Sequence, residues 1–170
     1  MDKVILVDEH DNEVGSMEKL QAHREGLLHR AFSVFIFNSK KELLLQRRAN
    51  DKYHSGGLWT NSCCSHPKEG ETVLEAVKRR VKEELGMDIT AEERFSFLYR
   101  AEFENGLIEH ELDHVVVAYS DAEPELNPEE ANAWKYIHPE TLRQDAKANP
   151  EMYTAWLRII LSDHFHELNP

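Results

Sequence analysis

Glu71-Thr72-Val73-Leu74-Glu75-Ala76-Val77-Lys78-Arg79-Arg80-Val81-Lys82-Glu83-Glu84-Leu85-Gly86-Met87 is the stretch whose reading decides the fold. Val73, Val77 and Val81 recur every four residues with Leu74 and Leu85 beside them. That spacing makes an apolar stripe on a helix, and Gly86 supplies its stop. The pattern predicts a helix over Glu71 to Leu85. Its other faces carry Glu71, Glu75, Glu83 and Glu84 among Lys78, Arg79, Arg80 and Lys82. Arg80 and Glu84 are four apart, which alone reads as an ordinary surface ion pair.

Working outward, Arg30 to Asn38 is dense in aromatic and β-branched residues and reads as a strand buried on both faces. A polar turn at Asn38 to Lys41 leads into a second strand, Glu42 to Arg47. Arg94 to Phe103 and Leu107 to Ser120 read as strands joined through Asn105-Gly106, a strong hairpin signal. Val4 to Val7 followed by Asp8 to Gly15 suggests a short hairpin, and Met17 to His23 a helical turn or two. Trp134 to His138 is a further short strand. Asn149-Pro150 opens a C-terminal helix whose apolar face runs through Tyr153, Trp156, Leu157, Ile160 and Leu161. Strands mixed with a central and a C-terminal helix predict an α/β or α+β sandwich. Asp51 to Pro67 holds Gly56-Gly57 and is too long for a plain connection, so it reads as a functional loop. Pro124 to Asn132 is an acidic loop. With no linker, repeat or low-complexity tract, residues 1–170 read as one domain.

The 170 residues carry a formal charge of −12, from 32 acidic and 20 basic side chains, which argues against a nucleic-acid or anionic-membrane surface. No apolar stretch approaches the roughly 18–20 residues of a membrane span, and Met1 to Ile5 lacks the character of a signal peptide. A cytoplasmic protein is expected. Cys63 and Cys64 are neighbours, with no distant partner for a disulfide, so a reducing compartment fits. Ten histidines are the odd entry, because imidazole is the commonest metal ligand and the neutral-pH acid/base.

The pattern Glu71, Arg79, Val81, Glu83, Glu84, Gly86, Met87 resembles the Nudix box, a loop–helix element that binds diphosphates through divalent cations. Ser65 stands where that box has its first glycine, and Arg80 where the hydrolases carry a glutamate. An arginine there replaces a metal-binding acid with a diphosphate clamp. Thr60-Asn61-Ser62-Cys63-Cys64-Ser65-His66-Pro67 is similar to the T-N-S-x-C-x-H-P loop of the type I isopentenyl-diphosphate isomerases. Further matches are Leu28-His29-Arg30-Ala31-Phe32-Ser33, Gln46-Arg47-Arg48-Ala49, Gly57-Leu58-Trp59-Thr60 and Glu109-His110-Glu111, in the order that family has them. The resemblance covers nearly the whole chain and implies a Nudix-like α/β/α sandwich with a mixed sheet.

Read without the family, His23 and His29 are six apart, roughly 240° from each other on one straight helix. They converge only if the Gly26 segment leaves the helix or His29 starts the next strand. Glu109 and Glu111 share one face of a strand, and two like charges there are costly unless a cation or proton intervenes. The resemblance implies that His23, His29, His66, Glu109 and Glu111 enclose one divalent metal, Mn²⁺ or Zn²⁺, acceptable to an N/O donor set. It implies a second ion, Mg²⁺, between Glu84 and the substrate diphosphate. Lys19, Arg48, Lys52 and Arg80 correspond to the family's diphosphate clamp. Strand alternation turns Arg47 away from Arg48.

The implied activity converts isopentenyl to dimethylallyl diphosphate by protonation and deprotonation through a tertiary carbocation, in a pocket that excludes water. Cys64 and Glu111 take the two proton-transfer roles, Glu111 delivering the proton with help from Tyr99 and Cys64 removing one. Trp156 is the implied aromatic over the reacting carbons. Cys63 falls on the motif's variable position and reads as a small buried hydrophobe. The expected partner is a small prenyl diphosphate, with neither nucleic acid nor membrane; monomer or homodimer stays open. Two rivals remain, a Nudix hydrolase of a small diphosphate and a non-catalytic metal-binding module.

Overall fold

The computed structural model describes residues 2–169. Its strands are β1 Lys3–Val7, β2 Glu13–Glu18, β3 His29–Phe37, β4 Leu43–Arg48, β5 Trp59–Thr60, β6 Cys63–Ser65, β7 Ala91–Glu102, β8 Ile108–Tyr119 and β9 Ala131–Ile137. Helices are α1 Lys19–Glu25, α2 Val73–Leu85, α3 Pro139–Ala148 and α4 Ala155–Asp163. All nine strands belong to one mixed sheet. Its centre is the parallel pair β3–β8, in register from His29 opposite Glu111 to Phe37 opposite Tyr119. β7 pairs antiparallel with β8, β6 with β3, and β4 with β9 and β5.

Period-two alternation splits β3 and β8 between two cores. Phe32, Val34, Ile36, Val116 and Ala118 pack against Ala76, Val77, Val81 and Leu85 of α2. Phe35, Phe37, Val115 and Val117 face the other way, onto Leu142, Ala146, Leu157, Ile160 and Leu161 of α3 and α4. The result is helix on sheet on helix. Fully burying a Val or Leu is worth about 1.5–3 kcal/mol, so the α2 stripe alone fixes that helix to the sheet.

Local chemistry sets the helix ends. Thr72 and Glu75 form a reciprocal capping box, so α2 starts at Val73, two residues later than the periodicity implies. Two expectations change at the C-terminal end. α3 was not legible, because Pro139 to Ala148 is mostly polar and buries only Pro139, Leu142 and Ala146. His138 caps it and Pro139 opens it. Asn149-Pro150 opens only a 3-10 turn, Pro150–Met152, and α4 begins at Ala155. The chain straightens at Tyr153 and Thr154 because Thr154 N–H donates to Trp59 O and the Thr60 and Thr154 hydroxyls meet at 2.9 Å. That docking brings Trp156 to the site.

Candidate active site

The buried end of the site is where α1 turns into β3. Gly26, at φ 68°, ends α1 in the left-handed region, and His29 begins the strand. His23 and His29 therefore meet with ring centroids 5.0 Å apart, the non-helical convergence their spacing required. His66 follows β6, and its ring lies 5.1 Å from His29 and 5.8 Å from His23. Glu111 completes the group, with Oε2 3.0 Å from His66 Nε2 and 3.4 Å from His29 Nε2. One donor atom from each of His23, His29, His66 and Glu111 lies within 4.8 Å of all the others.

The set fits a divalent metal on its own chemistry. His23 Nδ1 bonds Lys19 O at 2.7 Å and His29 Nδ1 bonds Leu27 O at 2.9 Å, which turns both Nε2 atoms inward. Both Nε2 atoms are buried without a hydrogen-bond partner. Orphaned buried lone pairs are costly unless something binds them. Burial holds His23 below the usual imidazole range and pushes His66 down to about 4, so both are neutral, as ligands must be. Burial opposes ionisation of Glu111, yet the His29 and His66 imidazoles beside it hold it below the usual carboxylate range.

Glu109 is placed differently from the expected single cage. It groups with His23 and His54, its Oε2 2.6 Å from His54 Nε2. Burial, and then the Glu111 charge, push its carboxyl well up, so the two adjacent acids do not both ionise. Asp113 continues the same face of β8, accepts from Ser33 Oγ at 2.7 Å, and is also pushed up by burial. The alternation that places Glu109 and Glu111 on one face could have found Asp113. Tyr99 lies opposite Glu111 in the β7–β8 register, buried, with its hydroxyl unpartnered and pushed up by burial and by Glu109.

Cys64 lies across a recess of about 30 Å³ from this face, lined by Phe32, Ser33, Tyr53, Glu111 and Trp156 among others. Its thiol donates to Asn61 Oδ1 at 3.1 Å and accepts from the Trp156 indole N–H at 3.0 Å. Burial, reinforced by Asp113, pushes the thiol up to about 12. Trp156 lines the recess, where an aromatic face was expected, and its N–H is also aimed at the thiol, with the Arg48 guanidinium 5.3 Å from its ring centroid. Cys63 is fully buried, as expected, but also donates to Glu84 Oε2 at 3.2 Å.

The recess opens beside a cavity of about 580 Å³ whose lining includes Lys19, Arg48, Lys52 and Arg80 together. Arg47 points away, to Asn132 and the Trp59 ring, as alternation requires. Lys19 sits 4.7 Å over the Tyr53 ring. Glu130, unmarked in sequence inside an acidic loop, bonds Lys52 at 2.8 Å and Arg80 at 3.3 Å. Glu84 is buried, so its 3.0 Å contact with Arg80 is no surface pair. Cys63 and Arg80 both hold Glu84 Oε2, while Oε1 takes only a 3.3 Å contact from Gln46, which leaves that oxygen a lone pair for a cation. Glu71 is taken by Arg79, in a two-point clamp at 2.7 and 2.8 Å that ties the loop to α2.

A buried cluster of imidazoles and a carboxylate that could hold a metal, beside a cationic cavity on an α/β/α sandwich, defines the class, and residues 27–157 match the NUDIX domain family. The Deinococcus radiodurans protein DR0079 superposes with a TM-score of 0.79 at 26% identity, over 94% of this chain and 97% of that one. The isopentenyl-diphosphate Delta-isomerase 2 of Aromatoleum aromaticum is 52% identical over 94% of this chain and 85% of its own length. The isopentenyl-diphosphate Delta-isomerase of Serratia proteamaculans is 49% identical over 94% of this chain and 89% of its own. The chain belongs to the type I isopentenyl-diphosphate Delta-isomerases of the Nudix superfamily.

Proposed function

We propose that this chain is an enzyme that converts isopentenyl diphosphate reversibly to dimethylallyl diphosphate, with Cys64 and Glu111 as its proton-transfer pair. The observation that carries this is the recess they share, buried at one end and opening at the other beside four cationic side chains. Lys19, Arg48, Lys52 and Arg80 hold the diphosphate, and the guanidinium groups orient it by two-point bonding. His23, His29, His66 and Glu111 hold a divalent metal, Mn²⁺ or Zn²⁺. When bound, it would supply positive charge that holds and polarises Glu111.

Cys64 and Glu111 face each other across the recess and divide the two transfers. One gives a proton to the terminal alkene carbon, forming a C–H bond and a tertiary cation. The other takes a proton from the carbon nearer the diphosphate, and those electrons form the new double bond. The resemblance assigns delivery to Glu111 and removal to Cys64. The indole N–H on Cys64 steadies its thiolate. The Trp156 ring also lines the recess, where an aromatic face near a cation is worth about 0.5–2 kcal/mol. The recess has roughly the room of one water, so a prenyl chain enters only as Tyr53 or Trp156 shifts, and that tightness excludes water from the cation.

The test is incubation with isopentenyl diphosphate, Mg²⁺ and Mn²⁺ in D₂O, followed by proton NMR. A shifted double bond carrying deuterium, with the diphosphate intact, is expected. Released phosphate would mean a hydrolase instead.

A further inference from the structure

Asn61 takes no part in the transfers described above, yet it is fully buried between β5 and β6. An unpaired amide would be costly there. Its nitrogen donates to Val34 O at 3.0 Å and to Cys63 O at 3.1 Å. Val34 and Cys63 are register partners in the β3–β6 pair, so the two carbonyls are fixed by the sheet. An amide nitrogen has two N–H groups, and both are spent on atoms that can only accept. The side chain therefore has one orientation, and its Oδ1 faces the other way.

Three donors converge on that oxygen. The Thr60 hydroxyl lies at 2.9 Å, the Cys64 thiol at 3.1 Å and the Trp156 indole N–H at 3.2 Å. The Thr60 hydroxyl also meets that of Thr154, which precedes α4, so the oxygen ties the Cys64 strand to the helix that carries Trp156. Of the three donors the thiol is intrinsically the loosest, because S–H turns among staggered positions about Cβ–Sγ. Its other acceptor, Ser33 Oγ, is 3.9 Å away and gives its own proton to Asp113. The nearer Asn61 Oδ1 therefore sets the S–H direction, while the indole N–H approaches the sulfur itself at 3.0 Å. Cys64 lines the recess and Asn61 does not. A proton turned onto Oδ1 thus points out of the recess and leaves a sulfur lone pair facing into it.

We propose that Asn61 is a positioning residue for proton transfer, its locked amide oxygen setting the direction of the Cys64 S–H bond and holding the Trp156 indole against the sulfur. This rests on the reading of Cys64 as one of the two proton-transfer groups. When the sulfur takes a proton from the substrate carbon, the new S–H bond swings onto Oδ1 and clears the double bond left behind. The clamp of Lys19, Arg48, Lys52 and Arg80 is carried by other segments, so a change at Asn61 acts on kcat rather than KM.

The test uses the full chain with Mg²⁺ and Mn²⁺, in a Cys63→Ala background that leaves one thiol. It reads the infrared S–H stretch together with kcat and KM for isopentenyl diphosphate. The band is expected at the lowered frequency of a hydrogen-bonded thiol. Asn61→Leu should return it to the free-thiol position and cut kcat about 100-fold, with KM changed less than about threefold. Asn61→Asp should keep the lowered band and recover most of kcat, because a buried carboxyl that stays protonated still offers one donor and one acceptor. A free-thiol band with Asn61 in place would overturn the proposal, and that measurement needs no variant at Asn61 to fold. Unchanged kcat in folded Asn61→Leu, or a loss carried by KM, would overturn it too. Full turnover in Cys64→Ala would bring down the proton-transfer reading, and the role of Asn61 with it.

Discussion

The two ends of the site solve opposite electrostatic problems. At the β3–β8 end, imidazoles and carboxylates are buried, and atoms such as His23 Nε2 and His29 Nε2 wait without partners. At the cavity end the charges are half-exposed and already satisfied, Lys52 and Arg80 both holding Glu130. A buried orphan gains most when a ligand arrives, because nothing has to be given up. An exposed pair exchanges one partner for another and gains less. The buried end should therefore dominate chemistry and acid stability, and the cavity end should tune affinity.

The sharpest way to break that contrast is at the proton-transfer pair. Cys64→Ala and Glu111→Gln are each expected to cut kcat by about 10³–10⁴-fold, at the upper range for a lost acid or base, with the fold kept. Stripping the metal with a chelator should lower activity comparably, and restoring Mn²⁺ or Zn²⁺ should recover it. Circular dichroism with steady-state kinetics checks all three. Normal turnover in either variant would remove that residue from the chemistry.

How much of this contrast was legible follows its physics. The α2 stripe, the β3 strand and the β7–β8 hairpin were readable because their periodicity is the folding signal itself. Glu109 and Glu111 were readable as partners, because strand alternation puts them on one face. His54 was not, since a histidine in a loop has no period, and only the fold sets it against a strand more than fifty residues away. Glu130 was hidden likewise, one acid among several in a polar loop, distinguished only by the cations it meets. α3 is illegible because it buries so little, and Asp113 is legible only when the alternation of Glu109 and Glu111 is carried one step beyond the motif.

Acid should expose the buried end next. Burial holds His66 down to about 4 and His54 to about 2 in the folded chain, against about 6.5 unfolded. Between those values the unfolded chain binds more protons, so stability is full above pH 6.5 and falls as pH drops toward 4. The expected loss is on the order of a few kcal/mol for the metal-free protein, read as denaturant midpoints from pH 7 to pH 4. Curves that do not move would mean these imidazoles are already charged in the folded state. At the cavity end the effects are smaller and fall on KM. Arg48→Gln should cost about 100-fold in kcat/KM and Lys52→Gln about tenfold, because a charge-assisted hydrogen bond is worth about 1.5–3 kcal/mol. Glu130→Gln should lower KM, since it frees Lys52 and Arg80 for the diphosphate. A raised KM would show that Glu130 orders the clamp rather than occupying it.

The smallest effect separates the adjacent cysteines. Cys63 is buried on the α2 face and donates to Glu84, while Cys64 faces the recess and the Trp156 indole. Alternation in β6 alone sends the two thiols to opposite sides of the sheet. Cys63→Ala removes one donor from a buried carboxylate that Arg80 and Gln46 still hold. It should cost about 1–2 kcal/mol of stability and leave kcat within a few-fold. Cys63→Ser, which keeps a donor, should recover part of that loss. Inactivation by Cys63→Ala in a protein that still folds would place a catalytic thiol on the α2 face, and the recess would then be the wrong side of the sheet for the chemistry.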